Sequence, residues 1–449
     1  MRLGIANSVA ERVVSRLVGA GFSAWYVGGC VRDAILGRDV QDIDIATDAS
    51  PEEVESLFAP HTVSVGKSFG VVVVLEQGQS FEVATFRSDG CYIDGRRPSS
   101  VSAADVATDA RRRDITINAL YCNPQTGEVV DYVGGLKDCR NRVIRMIGDP
   151  YARLNEDKLR LLRVVRFASV LDFEIEPGTW SAVCALASRI GVVSVERIAK
   201  EVLRMLCESP RPSRALQLLY DSRLLHTILP EAVALHGCAQ PLEFHPEGDV
   251  WRHTCLMLDE LPAPRSERLA LAVLLHDIGK PSTFSVDETG RIRFKCHAAV
   301  GARLAERILR RWKLPTALVE RVVSVVREHM TIVEVCKMRP SRRRRWMGEA
   351  SFPDTLELAR LDLLHSTGDL ALWRFAKSSY EAFKSEPILP PPFLKGADLI
   401  AAGLRPGRQM GELLRRLYDL QLEGNLKSRA DALERLPSLL QELGSEAED

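Results

Sequence analysis

The sequence predicts an α+β protein, with a mixed α/β head at the N-terminus and a chain that is helical almost throughout thereafter. Three observations predict it. Short strand-like runs are concentrated in the first 140 residues, interleaved with helix patterns. From about Asn155 onward the apolar spacing follows the three-to-four-residue rhythm of helices. The 449 residues also exceed what one core holds, since chains beyond about 250–300 residues divide into domains.

In chain order, Val9 to Val18 reads as an amphipathic helix and Ala24 to Val27 as a short strand ending at Gly28-Gly29. Asp42-Ile43-Asp44-Ile45 alternates as a strand does. Val71 to Leu75 is an apolar run of buried-strand length, and Phe81 to Phe86 is another strand. Strands first and helices afterwards imply separate domains. We divide the chain into a head (1–140), a helical neck (141–240), a helical body (241–388) and a helical tail (389–449). Pro390-Pro391-Pro392, with Pro387 just before, marks the linker into the tail. Gly396 to Leu440 reads as packed helices, and the acidic end from Glu446 to Asp449 is expected to fray.

Composition narrows the class. Lys+Arg and Asp+Glu balance at 60 each, so any grip on a polyanion must come from local clusters. The ten cysteines form no C-x-x-C pair, which fits free thiols in a reducing cytoplasm better than a disulfide or zinc framework. No apolar run approaches the roughly 18 residues that span a bilayer, and Met1 to Asn7 lacks an export signal. The expectation is a cytoplasmic protein without a membrane partner. Nothing in the sequence sets an oligomeric state.

The densest chemistry is Gly28-Gly29-Cys30-Val31-Arg32-Asp33 followed by Asp42-Ile43-Asp44. Residues i and i+2 of a strand share a face, so Asp42 and Asp44 point the same way. Two like charges so placed repel unless a cation lies between them, and Mg²⁺ with attached phosphates meets that need. The glycine pair lets the backbone approach a triphosphate, while helix N-terminal amides and Arg32 hold phosphate charge. D-x-D alone or Gly-Gly alone is common; the order strand, Gly-Gly, helix, D-x-D strand is far more specific.

Further stretches complete a pattern: Arg112-Arg113-Asp114-Ile115-Thr116-Ile117-Asn118-Ala119, Glu156-Asp157-Lys158-Leu159-Arg160 through Arg163 to Arg166-Phe167, and Glu196-Arg197-Ile198. Across roughly the first 205 residues the chain resembles the class II tRNA nucleotidyltransferases (CCA-adding enzymes) and the related bacterial poly(A) polymerases. One departure is Ile115, where the family usually has Phe. The resemblance implies a polymerase-β-like head in which Asp42 and Asp44 are catalytic and hold Mg²⁺. It implies that Gly29, Arg32 and Arg113 contact the incoming nucleotide. The implied partners are tRNA, ATP and CTP. The implied reaction is attack of an RNA 3′-hydroxyl on the α-phosphate with release of pyrophosphate, for which two metals are suited. Glu82 is a candidate third carboxylate, or simply a solvated strand residue.

Arg160, Arg163 and Arg166 recur every three residues along one side of a helix, beside a stripe of Leu159, Leu162 and Val165. One reading is an exposed basic face with a surface Asp–Arg pair. The other uses hydrogen-bond chemistry: cytosine and adenine present an amino donor beside a ring-nitrogen acceptor, whereas uracil and guanine present a carbonyl beside an N–H. A carboxylate only accepts and a guanidinium only donates, so Asp157 beside Arg160 complements C and A. Each mismatch would cost about 1–3 kcal/mol. The resemblance gives nucleotide binding to Glu156, Asp157, Arg160, Arg163 and Arg166, and assigns A addition to an adaptable segment. That segment is present at full length here from Arg87 to Asp109, including Tyr92, Asp94, Arg96 and Arg97. A CC-only enzyme is therefore disfavoured, and an enzyme adding only the terminal A stays open.

Farther on, His253 precedes His276-Asp277-Ile278-Gly279-Lys280, His297, His329 and Asp362, with the apolar run Leu269 to Leu275 delivering His276 and Asp277. These residues resemble the HD phosphohydrolases. The resemblance implies that His253, His276, Asp277 and Asp362 hold one metal and that His297 and His329 help hold a second. Such ligands suit Mn²⁺, Ni²⁺ or Co²⁺, and 2′,3′-cyclic or nucleotide phosphates are the implied substrates. The other reading is a helical body that kept the fold and lost the metal. Arg342 to Arg345 with Trp346, and Arg310-Arg311-Trp312-Lys313, are basic clusters that read either as solvated faces or as phosphate contacts. The readings that compete with CCA or A addition are a poly(A) polymerase and a metal-dependent phosphohydrolase with an RNA-binding head.

Overall fold

The computed structural model describes residues 2–5, 7–40, 42–63, 70–90, 100–384 and 387–445. Tyr92, Asp94, Arg96 and Arg97 of the adaptable segment, and the acidic end from Glu446 to Asp449, lie outside the described residues. The chain forms two compact units, Met1–Val233 and Ala234–Asp449.

The first unit is built on strands β1 (Ala24–Val27), β2 (Asp44–Thr47), β3 (Thr62–Val63), β4 (Val71–Glu76), β5 (Gln79–Thr85), β8 (Leu120–Cys122) and β9 (Val129–Asp131), with β6 (Arg87–Asp89) and β7 (Val101–Ala103) forming a separate hairpin. The seven-stranded sheet runs β3-β4-β5-β2-β1-β8-β9. β2 lies antiparallel to β1 and parallel to β5, with Ile45 opposite Val83. Asp44 and Glu82, one residue earlier on each strand, therefore stand side by side on one face. Ile45 and Val83 bury on the other face. β4 and β5 are joined by Gln77-Gly78, both at positive φ (48° and 76°), a two-residue turn whose twist matches the paired strands.

Two strand expectations need correction. β2 starts at Asp44, so Asp42 sits just before the strand, although Ile43 and Ile45 are buried while Asp42 is exposed. Val71–Glu76 is half-buried rather than buried: Val72 and Val74 face the core, whereas Leu75 is 43% exposed. Helices Pro150–Glu156 and Leu159–Leu171 of the neck bond to the head through Arg153 and Arg163, and Val195–Glu208 packs on Leu159–Leu171.

The second unit is helical apart from the hairpin Phe284–Val286/Ile292–Phe294. At its centre Glu267–Leu275 buries every residue from Leu269 to Leu275, as a helix apolar all round must. The tail helices Gly396–Ala401, Arg408–Leu422 and Arg429–Ser445 share a leucine core that includes Leu399, Leu413, Leu417 and Leu436. The proline linker is tied down. Gln421 accepts from the Phe393 amide at 2.8 Å and donates to the Pro391 carbonyl at 2.9 Å, and Tyr418 donates to Pro390 at 2.9 Å.

Candidate active site and metal centre

An open cleft of about 730 Å³ in the first unit gathers the residues singled out in the head. Gly28, Gly29, Arg32, Asp42, Asp44, Glu82 and Arg113 line it, joined by Arg163, Arg166 and Phe167 from the neck. Gly28 has φ +79°, and a Cβ there would meet the Arg113 guanidinium at 3.6 Å and the Asp44 carboxylate at 3.7 Å. The backbone conformation is what calls for glycine, since the two contacts are of ordinary van der Waals length. Burial, with the Glu82 and Asp42 carboxylates nearby, pushes the Asp44 carboxyl up to about 6 against the pull of Arg113. This site therefore asks for a cation. Among the described residues, only clusters in the body bring three ligand atoms within 4.8 Å of one another, so Asp42, Asp44 and Glu82 do not form such a group.

The cationic wall is anchored from behind. Arg32 donates to Asn118 at 2.6 Å and to Asp33 at 2.9 and 3.0 Å. Arg113 is held by Asp109 at 3.2 Å and by the Tyr121 hydroxyl at 3.0 Å, and Tyr121 in turn donates to Asp109. Asp114 accepts from Arg163 at 2.8 Å, and Arg166 donates to Glu201 at 2.6 Å. The guanidiniums of Arg32, Arg163 and Arg166 lie 5.5, 5.2 and 4.0 Å from the Phe167 ring. Three cations thus gather around one aromatic ring, each with its own acceptor, an arrangement that can hold phosphate charge.

The expected Asp157–Arg160 pairing takes a different form. The helix ends at Glu156 and a new one starts at Leu159, so Asp157 lies in the break. Arg160 donates to Glu156 at 2.6 Å and to the Arg153 carbonyl at 2.8 Å. Asp157 instead accepts from Arg197 at 3.3 Å. Among the described residues, Arg163 and Arg166 line the cleft, while Glu156, Asp157 and Arg160 do not. Arg160 is still close enough to help lower Asp114. Arg153 was missed in the sequence: it bonds Glu156 and the carbonyls of Arg112 and Arg113, the latter at 2.7 Å, tying the neck to the Arg-Arg-Asp stretch. Asp109, also missed, is 1% exposed and carries Arg112, Arg113 and Tyr121.

In the second unit, separate helices converge on Asp277. His253 comes from Val250–Asp259, His297 opens His297–Arg311, His329 follows Thr316–Glu328, and Asp362 lies on Phe352–His365. His276 and Asp277 follow Glu267–Leu275 as expected. His276, His297 and His329 place Nδ1 at 2.8, 2.9 and 2.7 Å from the carbonyls of Val273, Phe294 and Val326. A carbonyl only accepts, so each Nδ1 carries a proton, and in the neutral ring the lone pair is then on Nε2. Those lone pairs face Asp277: Nε2 of His276 lies 3.1 Å from Oδ2, and those of His297 and His329 lie 3.5 and 3.8 Å from Oδ1. Nε2 of His297 and of His329 are only 3.2 Å apart.

His253 Nε2 is 3.2 Å from Asp362 Oδ1, and Lys280 Nζ is 2.6 Å from Asp277 Oδ2. His276 Nε2 and Asp277 Oδ1 are buried without a hydrogen-bond partner. Burial, with His276 nearby, pulls His329 down to about 4, leaving it neutral as a ligand must be. Two three-ligand groups, His253–His276–Asp277 and Asp277–His297–His329, share one carboxylate. This donor set fits a transition metal. His245 and Glu247 join the cluster from an upstream loop; their only sequence signal was a polar His-x-Glu shortly before His253.

The tryptophans of both basic clusters face inward, while Arg310, Arg311, Lys313 and Arg342 are exposed. Trp312 and Trp346 are buried at 2% and 8% exposure and belong to the core. Arg343, Arg344 and Arg345 lie over Phe375, Phe383 and Tyr418 at 5.1, 4.7 and 4.7 Å, and Arg345 pairs with Asp419 at 2.8 Å. The run stitches body to tail.

Family profiles match three stretches of the chain. A family profile described as "Poly A polymerase head domain" matches residues 24–145, "Probable RNA and SrmB- binding site of polymerase A" matches 172–235, and "HD domain" matches 249–365. A CCA-adding enzyme of Lactobacillus helveticus is 31% identical over 95% of both chains. One from Bacillus licheniformis is 47% identical over 45% of this chain and 51% of that protein, about half its length. The crystal structure of the Bacillus stearothermophilus CCA-adding enzyme in complex with CTP superposes with a TM-score of 0.73 at 26% identity, covering 97% of this chain and 98% of that one.

Proposed function

The chain belongs to the CCA-adding enzymes, and from that premise we propose that it adds all three nucleotides, C, C and A, to the 3′ end of tRNA from CTP and ATP. The observation that carries this reading is the single cleft in which Asp42, Asp44 and Glu82 face Arg32, Arg113, Arg163 and Arg166. Carboxylates and guanidiniums lining one cleft suit a triphosphate together with Mg²⁺, which Asp42 and Asp44 would hold. Bound there, Mg²⁺ lowers the pKa of the attacking hydroxyl and neutralises the departing pyrophosphate.

The chain's own residues do the rest. Gly28 and Gly29 let the triphosphate approach the backbone. Arg32 and Arg113, held by Asn118 and by Asp109 with Tyr121, orient its oxygens so that the α-phosphorus meets the RNA 3′-oxygen. That oxygen forms a bond to phosphorus as the bond to the β-phosphate breaks. Asp157 and Arg160, which do not line the cleft before a nucleotide is bound, are the base readers that the family resemblance implies: Asp157 to accept from the base amino group and Arg160 to donate to the ring nitrogen, with Glu156 and the Arg153 carbonyl holding Nη1 of Arg160. Asp157 exchanges its 3.3 Å bond to Arg197 for the base. Only C and A satisfy both groups.

The body is read as an HD phosphohydrolase. His253, His276, Asp277 and Asp362 would hold one transition metal, with His297 and His329 at a second position, and phosphoesters are the substrates. Support comes from the buried lone pairs facing Asp277. No helix of the described residues is long and apolar enough to cross a membrane. The free cysteines among the described residues support placement in a reducing cytoplasm.

The deciding assay gives purified protein tRNA transcripts ending before the first C, after one C and after two, with each nucleoside triphosphate separately. The expected result is CTP incorporation on the first two, one A on the third, and none from UTP or GTP. Incorporation of ATP alone on the CC-ending transcript would make the enzyme A-adding, and repeated A would make it a poly(A) polymerase.

A further inference from the structure

Three of the body histidines have Nδ1 fixed by the carbonyl three residues earlier. His253 is the exception. Its equivalent acceptor, the Val250 carbonyl, is bonded by the Thr254 hydroxyl at 2.9 Å. His253 Nδ1 lies 2.7 Å from Glu247 Oε1 instead, a close charge contact that is not aligned as a hydrogen bond. The same oxygen lies 2.8 Å from His245 Nδ1, and the two imidazoles meet edge to face with centroids 4.9 Å apart. The His253 side chain is 0% exposed and that of Glu247 is 7% exposed, so water does not compete for the contact.

The loop that carries Glu247 is fixed independently of the cluster. Asp249 accepts from the Arg252 amide at 2.9 Å, capping the His253 helix, and from the Gly237 amide at 2.6 Å. The Val250 amide donates to the Cys238 carbonyl at 3.0 Å and the His245 amide to Pro241 at 3.0 Å. Gly248, at φ +119°, turns the chain from the loop into the helix.

We propose that Glu247 is a positioning residue of the body metal centre: it holds the Nδ1 edge of His253 so that Nε2 points at Asp362 and the metal, while His245 holds the carboxylate in place. The inference rests on the reading of His253 as a ligand. A carboxylate behind a ligating imidazole fixes the ring and raises its basicity more than a neutral carbonyl does. His253, alone of the four histidines, is thereby bracketed by carboxylates at both nitrogens.

The test uses the full-length protein, stripped with a chelator and titrated with Co²⁺, followed by calorimetry and the visible absorption of the bound ion. Glu247→Gln keeps the volume and removes the charge. It should weaken Co²⁺ binding by about 10–100-fold, leave the stoichiometry unchanged and alter the absorption spectrum, with wild-type circular dichroism. His245→Ala should weaken binding less than tenfold, again without changing the stoichiometry. If Glu247→Gln fails to fold, Glu247→Asp, whose shorter carboxylate retracts from His253, must show the same weakening. Unchanged affinity and spectrum overturn the proposal and leave the body reading standing. Loss of one Co²⁺ equivalent in both Glu247→Gln and His245→Ala also overturns it, because Glu247 would then be a ligand. A wild type that binds no Co²⁺ removes the body reading and this proposal together.

Discussion

Burial beside Glu82 and Asp42 carries the Asp44 carboxyl from 3.8 to about 6, and the sign of that shift fixes its pH behaviour. The folded protein holds the Asp44 proton more tightly than the unfolded chain does. The stability gained is complete below about pH 4 and is lost as pH rises through about 6. With no metal present, Asp44→Asn should therefore be more stable than the native protein at pH 7 by about 1–3 kcal/mol. That difference should close toward pH 4, as read by urea unfolding, and nucleotide addition should be abolished. A less stable Asn variant at pH 7 would contradict the electrostatic account. In the native enzyme, Mg²⁺-dependent addition should fall at acid pH, where protons compete with Mg²⁺ for the same oxygens, and raising Mg²⁺ should restore it. Arg160→Ala should slow addition and relax discrimination against UTP and GTP; full rate with full selectivity would refute base reading by this residue. The sequence made the Asp42/Asp44 alternation and the Arg160–Arg163–Arg166 spacing legible. It did not reveal that Arg197 takes Asp157, because that bond joins residues 40 apart.

At the scale of elements, long periodic helices were read with little error, since an apolar stripe such as that of Leu159–Leu171 extends over several turns. The strands Leu120–Cys122 and Val129–Asp131 were not seen, because three residues hold too little alternation to register. The arginine run Arg342 to Arg345 left two readings open in the sequence. Charge and neighbouring tryptophan look alike whether the aromatic faces RNA or the core, and Trp346 packs against Phe352 at 4.9 Å. The tail depends on such local ties. Gln421→Ala removes the partner of both the Phe393 amide and the Pro391 carbonyl. It should destabilise the linker by about 1–3 kcal/mol, seen as faster amide exchange across residues 390–400 with the body unchanged. Equal exchange in variant and wild type would show that the linker is held by apolar packing alone.

For the whole molecule, the two-part order of α/β head and helical remainder was legible because the hydrophobic period changes along the chain. The compact units divide at Val233. The body ligands come from helices spread between His253 and Asp362, a convergence that no local pattern encodes; resemblance supplied it. His276→Ala or Asp277→Ala should abolish metal binding by elemental analysis and any phosphoesterase activity while sparing nucleotide addition, whose carboxylates lie in the other unit. Loss of addition in a well-folded variant would show that the two chemistries are linked. The Gln77-Gly78 turn has a consequence for heredity. Ser80 and Glu82 reach the cleft because each stands an even number of positions from that turn, whereas Phe81 and Val83 stand an odd number and are buried. A single codon gained or lost between Gly78 and Glu82 would exchange the two sets, turning Phe81 outward and forcing a carboxylate into the interior. Over this stretch, lineages can accept substitutions far more readily than a change in length.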